Sequence, residues 1–404
     1  MNKDLYISVE LAMKHLLCRS HQVDTGEEIP LPLATGRILF QDYHAGLDLP
    51  PYDRSPLDGF ALNHKDIAGA SDSHPVILTI NQSIYAGNTP ARECSRMSAA
   101  RIMTGAPLPP GADCVIRQED VQVEEDRVMI RQSLKHHENF CFQGEEVRKG
   151  SCLLRRGDRM TPARLGILAS QGFATVQVYK KPAVCVFSTG DELLSIGTPW
   201  QPGKIYDSNS LTLSARAWEL GAAVTNRGHV PDHPGRLADT IVAACRDHRL
   251  IVTTGGVSVG AHDYMREVCE GLGAELIFHG IKAKPGSPAV AYQKDQTLIL
   301  CLSGNPFAAF ATFELLAVPV LKKLSGLTDP LPQRLEAVLT DDFRKASPNR
   351  RFVRARVNQG YVTLPACGHE SGSLYALADC NCMLDIPAGS GGLETGSKVQ
   401  VMMF

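Results

Sequence analysis

Between residues 179 and 327, short apolar runs alternate with segments whose apolar residues recur at helical spacing. The runs AVCVFS, AAVTNRG, LIVTTG, AELIFHG and TLILCLSG have the length of buried strands. Leu213, Ala217 and Leu220, then Leu237, Ile241 and Cys245, each mark one face of a helix. Strands joined through helices pair in parallel, because each crossover helix covers a face of the sheet, so the pattern predicts a doubly wound α/β domain. The loops leaving the strands' carboxyl ends then converge on one crevice, where such sheets bind ligands.

The distinctive polar clusters of this region all follow a predicted strand. Ser188-Thr-Gly-Asp-Glu192 follows the first, Asp232 follows RGHV, TTGGVSVGAHDY at 253 to 264 follows LIV, and Leu302-Ser-Gly-Asn-Pro306 follows TLILC. Gly255, Gly256 and Gly260 allow a ligand close to the main chain, and the helix that follows offers free N–H groups to an anion. Neither the GxxxxGK[ST] nor the GxGxxG spacing is present, which excludes a Walker-type or dinucleotide-binding loop. Asp263 would repel a bare phosphate but would serve a divalent cation placed between them; equally, it could cap the next helix. Three acidic loops at one sheet edge, carrying Glu192, Asp232 and Asp263, fit an oxygen-ligand site for Mg²⁺ better than three separate caps. Lys284, in IKAKPGSP, is either a solvated turn lysine or a partner for an oxyanion.

A chain of 404 residues exceeds one hydrophobic core, so two to four domains are expected. Residues 4 to 19 place Val9, Met13, Leu16 and Leu17 on one helical face, with Ser8 as cap. Residues 47–142 alternate short apolar runs with Gly and Pro turns and read as a β-rich domain. Within 143–178, TPARLGILASQGF reads as a helix ahead of the strand ATVQV, and after 328 the runs EAVLT, FVRARV, YVTL and KVQVMMF suggest a terminal β domain. A net charge of −2 makes nucleic acid an improbable partner. With no apolar stretch of about 18 residues and no signal-peptide pattern, a cytoplasmic protein without a membrane span is expected. The twelve cysteines are scattered singly, as in reduced and mostly buried thiols.

With these residues assembled, the chain resembles the molybdopterin molybdenumtransferase family, which includes the C-terminal domain of gephyrin. The resemblance spans the whole chain and rests on PPYDRSPLDGFAL (50–62), RIMTGAPLPPGAD (101–113), STGDEL (188–193), GKIYDSN (203–209), GGVSVGAHDY (255–264), KPGSP (284–288) and SGNP (303–306). It implies a transferase that inserts molybdate into adenylylated molybdopterin and releases AMP. It also implies a multidomain fold: a two-segment helical linking domain (1–46 and 143–178), a β-rich domain (47–142), an α/β molybdopterin-binding domain (179–327) and a C-terminal β-barrel (328–404). The family forms homodimers with a cleft shared between subunits, so Asp58 and Thr104 would act in trans. Molybdopterin adenylyltransferase and molybdoenzyme maturation factors would be further partners. Carried over by motif, Glu192, Asp232 and Asp263 would hold Mg²⁺ and phosphates, while Gly255, Gly256 and Ser258 would seat the pterin's phosphate. Lys284, Arg350 or Arg351, and Ser371 would hold molybdate, and Pro285, Ser287, Asn305 and Pro306 would complete the ligand site.

The chain departs from the family where KPGKP becomes Lys284-Pro-Gly-Ser287-Pro288 and where the arginine of NxRxxGED becomes Cys141. Two functions of different class follow. One is an active transferase, supported by the intact series Asp58, Thr104, Glu192, Asp232 and Asp263. The other is a catalytically weak paralogue that binds molybdopterin as carrier or scaffold, motivated by Ser287 and Cys141. Molybdopterin adenylylation is disfavoured, because the adenylyltransferases share only the α/β domain.

Overall fold

In the computed structural model, which describes residues 6–20, 25–257, 264–366 and 370–404, the alternating region forms a six-stranded sheet. Its strands are β1 (Ala183–Thr189), β2 (Ala223–Val230), β3 (Leu250–Thr254), β4 (Glu275–His279), β5 (Val290–Lys294) and β6 (Thr297–Leu302), ordered β2-β1-β3-β6-β5-β4. The first four in that order are parallel. β5 runs antiparallel to both β6 and β4, with Val290 opposite Cys301 and His279. The chain between β4 and β5 therefore emerges at the same edge as the loops after β1, β2, β3 and β6. The apolar runs do not announce β5, whose VAYQK carries two polar residues.

The two-residue period of the strands divides their side chains between two cores. Val184, Val186, Leu250, Val252 and Leu300 pack with residues of α1 (Val9–Arg19), α2 (Asn209–Glu219), α5 (Pro306–Thr312) and α6 (Val318–Leu324). Cys185, Phe187, Ile251 and Ile299 pack with α3 (Pro234–Asp247) and α4 (Tyr264–Gly271). Burial on both faces is why the strands read as continuous apolar runs, each large side chain contributing about 1.5–3 kcal/mol. At the start of α1 the Ser8 hydroxyl oxygen accepts a hydrogen bond from the Leu11 N–H at 3.1 Å. Val9, Ala12 and Leu16 are buried, while Met13 and Leu17 are half-buried.

After the sheet, β7 (Arg334–Leu339), β8 (Arg350–Asn358), β9 (Tyr361–Thr363), β10 (Cys382–Ile386) and β11 (Lys398–Met403) run in the order β8-β9-β7-β11-β10. β10 pairs again with β8, closing a barrel around Leu339, Val353, Ala355, Leu384 and Val401. A short parallel pairing of Ala283 and Lys284 with Arg350 and Arg351 ties the segment after β4 to β8.

All of this lies in one compact unit, made of the described residues of Met1–Gln41, Arg156–Pro162 and Thr175–Phe404. The unit also holds an antiparallel pair, Gly26–Pro30 with Thr175–Tyr179. A second unit, Asp42–Arg155 with Ala163–Ala174, contains a six-stranded sheet ordered Cys114–Arg117, Gly59–Leu62, Ser98–Ile102, Val76–Ile84, Arg127–Ile130, Val121–Glu124. Phe60, Leu62, Leu78, Ile116 and Val128 fill its core. Gly59 is required there, since a Cβ would lie 1.9 Å from the Ile116 carbonyl oxygen. Among the described residues no helix is long and apolar enough to cross a membrane.

Candidate functional site

The loops after β1, β2, β3 and β6 enclose a hollow of about 680 Å³, and Glu192, Asp232, Gly255, Gly256, Asn305 and Pro306 all line it. Thr189 Oγ1 donates to Asp232 Oδ1 at 3.0 Å, so the end of β1 orients the carboxylate arriving after β2. Glu192 is exposed, and its carboxylate lies over Gly190, where a Cβ would stand 2.6 Å from Oε2. Gly255 has φ +90°, and a Cβ there would lie 2.1 Å from the Thr189 carbonyl oxygen, so the ends of β1 and β3 meet only through a glycine. Ser258 and Asp263 lie outside the described residues.

Sequence reasoning passes over two residues of this hollow. Leu193–Leu194 pairs in parallel with Ile205–Tyr206, folding the loop after β1 back and delivering Asp207 beneath it. Asp207 is 4% exposed; Oδ1 accepts from Ser188 Oγ at 2.7 Å and from the Ser210 N–H at 3.0 Å, and Oδ2 accepts from Ser210 Oγ at 2.6 Å. Asn209 Nδ2 donates to the Gly304 carbonyl at 2.7 Å, linking α2 to the loop after β6. GKIYDSN contains both residues, and an Asp just before a helical run is a capping signal. What it lacks is any sign that the carboxylate is buried.

A second hollow, of about 970 Å³, lies between the sheet edge and the barrel and shares Pro288, Ser303, Asn305 and Gly372 with the first. The two are chambers of one cleft. Lys284, Pro285 and Ser287 from the segment after β4, Arg351 and Arg354 from β8, Lys345 and Ser371 line the second chamber. Ser287 Oγ donates to the Ala283 carbonyl at 2.5 Å, so its proton closes its own turn. The Ser371 carbonyl accepts from the Phe307 N–H at 3.0 Å, which fixes that segment at the start of α5.

Of the two adjacent arginines, only Arg351 faces this chamber. Arg350 donates from Nε to Asp385 Oδ1 and from Nη2 to Asp385 Oδ2, both at 2.6 Å, also pairs with Glu10, and lines a separate hollow. Successive residues of β8 point to opposite sides, which separates them. Arg351 Nε is buried and has no hydrogen-bond partner among the described residues, a donor arrangement suited to an anion. Arg354, which sequence reasoning also passes over, is fully buried, sits 4.6 Å from the Phe307 ring centre and donates to the Glu370 carbonyl at 3.1 Å.

The remaining expected residues belong to the second unit. Asp58 Oδ1 accepts from both the N–H and the hydroxyl of Thr104, each at 2.7 Å. The N–H foremost, then the hydroxyl, holds the Asp58 carboxyl below its ordinary value. Cys141 exchanges backbone hydrogen bonds with Arg54, and burial first, then Glu145, pushes its thiol up, so a neutral group stands there.

Comparison with known proteins agrees with this architecture. Residues 7–172 match the MoeA N-terminal region (domain I and II), 185–323 a probable molybdopterin binding domain, and 336–404 the MoeA C-terminal region (domain IV). A molybdopterin molybdenumtransferase of Staphylococcus epidermidis is 35% identical over 98% of this chain and 95% of its own. One of Staphylococcus aureus is 35% identical over 93% and 90%. The crystal structure of the molybdopterin biosynthesis moeA protein of Pyrococcus horikoshii superposes with a TM-score of 0.86 at 28% identity, covering 99% of this chain and 100% of that one. By sequence along its whole length and by fold, the chain belongs to the molybdopterin molybdenumtransferase family.

Proposed function

We propose that this protein inserts molybdate into adenylylated molybdopterin with the help of Mg²⁺, releasing AMP and the loaded cofactor. One observation carries this above the others: a single cleft with carboxylates in one chamber and, in the next, Lys284, Lys345, Arg351 and Arg354 outnumbering Glu370. Glu192 and Asp232 are hard oxygen donors of the kind Mg²⁺ takes, with Asp263 as the expected third. When bound, the ion supplies charge neutralisation for cleavage of the phosphoanhydride. Gly255 and Gly256 let phosphate approach the backbone, with Ser258 as the further residue expected from the motif. Lys284, Arg351 and Ser371 receive the molybdate dianion, with Arg354 and Lys345 adding to the positive field. Because the metal-binding sulfurs are the ligand's own, the side chains orient and neutralise. The protein acts as a cytoplasmic homodimer, Asp58 and Thr104 serving the partner subunit's cleft. Molybdopterin adenylyltransferase stands before it and molybdoenzyme maturation factors after it.

A carrier or scaffold role is the second reading, favoured by the Ser287 hydroxyl donating to its own turn and by the neutral Cys141. Purified protein incubated with adenylylated molybdopterin and Mg²⁺, with and without molybdate, separates the two. The transferase releases AMP in a molybdate-dependent way and loses it in Asp232→Ala; the carrier binds ligand and releases none at any molybdate concentration.

A further inference from the structure

Three segments of the second unit bring His64, Asp113 and His136 together, and none of these residues lines the cleft. One ligand-type atom from each lies within 4.8 Å of the others. His64 Nδ1 stands 2.6 Å from Asp113 Oδ2, and His136 Nε2 stands 3.7 Å from that same oxygen. We propose that this triplet binds a zinc-class divalent transition ion through two imidazoles and one carboxylate, with water completing the shell.

Donor chemistry selects the ion class. Paired imidazoles with a carboxylate suit Zn²⁺, Cu²⁺ or Ni²⁺, whereas Mg²⁺ prefers oxygen alone. With metal–ligand bonds of about 2.0–2.2 Å, neighbouring ligand atoms of a tetrahedral site stand about 3.3 Å apart. The His136 separation is already close to that. The shorter His64 contact is a hydrogen bond, whose proton the ion would displace into solvent as the two side chains open by about 0.7 Å.

The three segments are fastened to one another before any ion arrives. The His64 N–H donates to Asp113 Oδ1 at 2.7 Å, the Asp113 N–H to the Leu62 carbonyl at 3.0 Å, and the His137 N–H to the Asp113 carbonyl at 2.9 Å. A simple cap explains the bonds between His64 and Asp113. It does not explain why His136, its ring 3.6 Å from that of His137 and 5.0 Å from that of His64, approaches the same carboxylate oxygen. With side-chain exposures of 26% for His64, 16% for Asp113 and 56% for His136, the group is open to ions from solvent. A bound ion would cross-link the strand edge at Asp113 to the segments carrying the two histidines.

The test uses the full chain, stripped with chelator and titrated with Co²⁺, then Zn²⁺. One equivalent of Co²⁺ should bind with proton release and produce visible bands without a thiolate charge-transfer band, Zn²⁺ should displace it, and the thermal midpoint should rise. His136→Ala, on an exposed loop, should fold normally, weaken binding by at least about tenfold and lose the zinc-dependent rise. Glu192→Ala with Asp232→Ala should keep the site intact. Absence of saturable Co²⁺ or Zn²⁺ binding by the wild type overturns the proposal. So does a thiolate band, wild-type affinity in His136→Ala, or loss of the equivalent in the cleft double variant.

Discussion

Ser188 and Asp207, nineteen residues apart, share a buried hydrogen bond of 2.7 Å that holds the end of β1 to the start of α2. The same carboxylate accepts both the N–H and the hydroxyl of Ser210. Asp207→Ala would strand these donors in the interior, and a loss of about 1–3 kcal/mol is expected. Urea denaturation reads this directly; an unchanged midpoint would show that the carboxylate does not hold the floor of the cleft together.

Gly255→Ala adds a Cβ 2.1 Å from the Thr189 carbonyl oxygen at a position with φ +90°. Gly197 also has positive φ, +87°, but no atom within 4 Å of its would-be Cβ. The first substitution should cost more than the about 1–3 kcal/mol of conformational strain that the second carries, and should abolish AMP release. Equal losses in the two variants would mean that the contact between β1 and β3 relaxes freely.

Arg350→Ala and Arg351→Ala should diverge. Removing Arg350 takes two hydrogen bonds from the buried Asp385 and should lower stability by about 1.5–3 kcal/mol, with little change in molybdate dependence. Removing Arg351 should raise the molybdate concentration needed for AMP release while leaving the unfolding midpoint near that of the wild type. Parallel denaturation and AMP assays on both variants decide it, and matching behaviour would contradict the orientation of β8.

Asp58 keeps its charge below its ordinary value of 3.8 because Thr104 donates to it twice. For a depressed carboxyl, the favourable contribution is present above the unfolded value and is lost as pH falls through the folded one. Thr104→Val removes the hydroxyl but keeps the N–H, which is the larger cause, so the Asp58 pKa should rise only part of the way. An NMR titration of the carboxyl carbon reads the change; titration at the same pH in both proteins would assign the whole effect to the backbone.

The doubly wound sheet was legible because strands buried on both faces must be apolar throughout, and the glycine and acidic clusters beyond them fall where parallel strands end. β5 was not, since Gln293 and Lys294 interrupt its run near the end of an antiparallel strand. The choice between Arg350 and Arg351 depends on which side of β8 meets the sheet edge, a property of tertiary packing. Asp207 and Arg354 escaped notice for a related reason. A charged residue in the sequence suggests solvent, and only long-range partners such as Ser188 and Phe307 reveal that these two are enclosed.

Pro288, Ser303, Asn305 and Gly372, the residues common to both chambers, carry no formal charge. That neutral waist makes the cleft a gauge of reach. A small anion confined to one chamber meets either the carboxylates or a lining in which Lys284, Lys345, Arg351 and Arg354 outnumber Glu370, whereas a molecule long enough to cross the waist engages both poles and lies in a single direction. Discrimination would then rest on span as much as on the chemistry of either end.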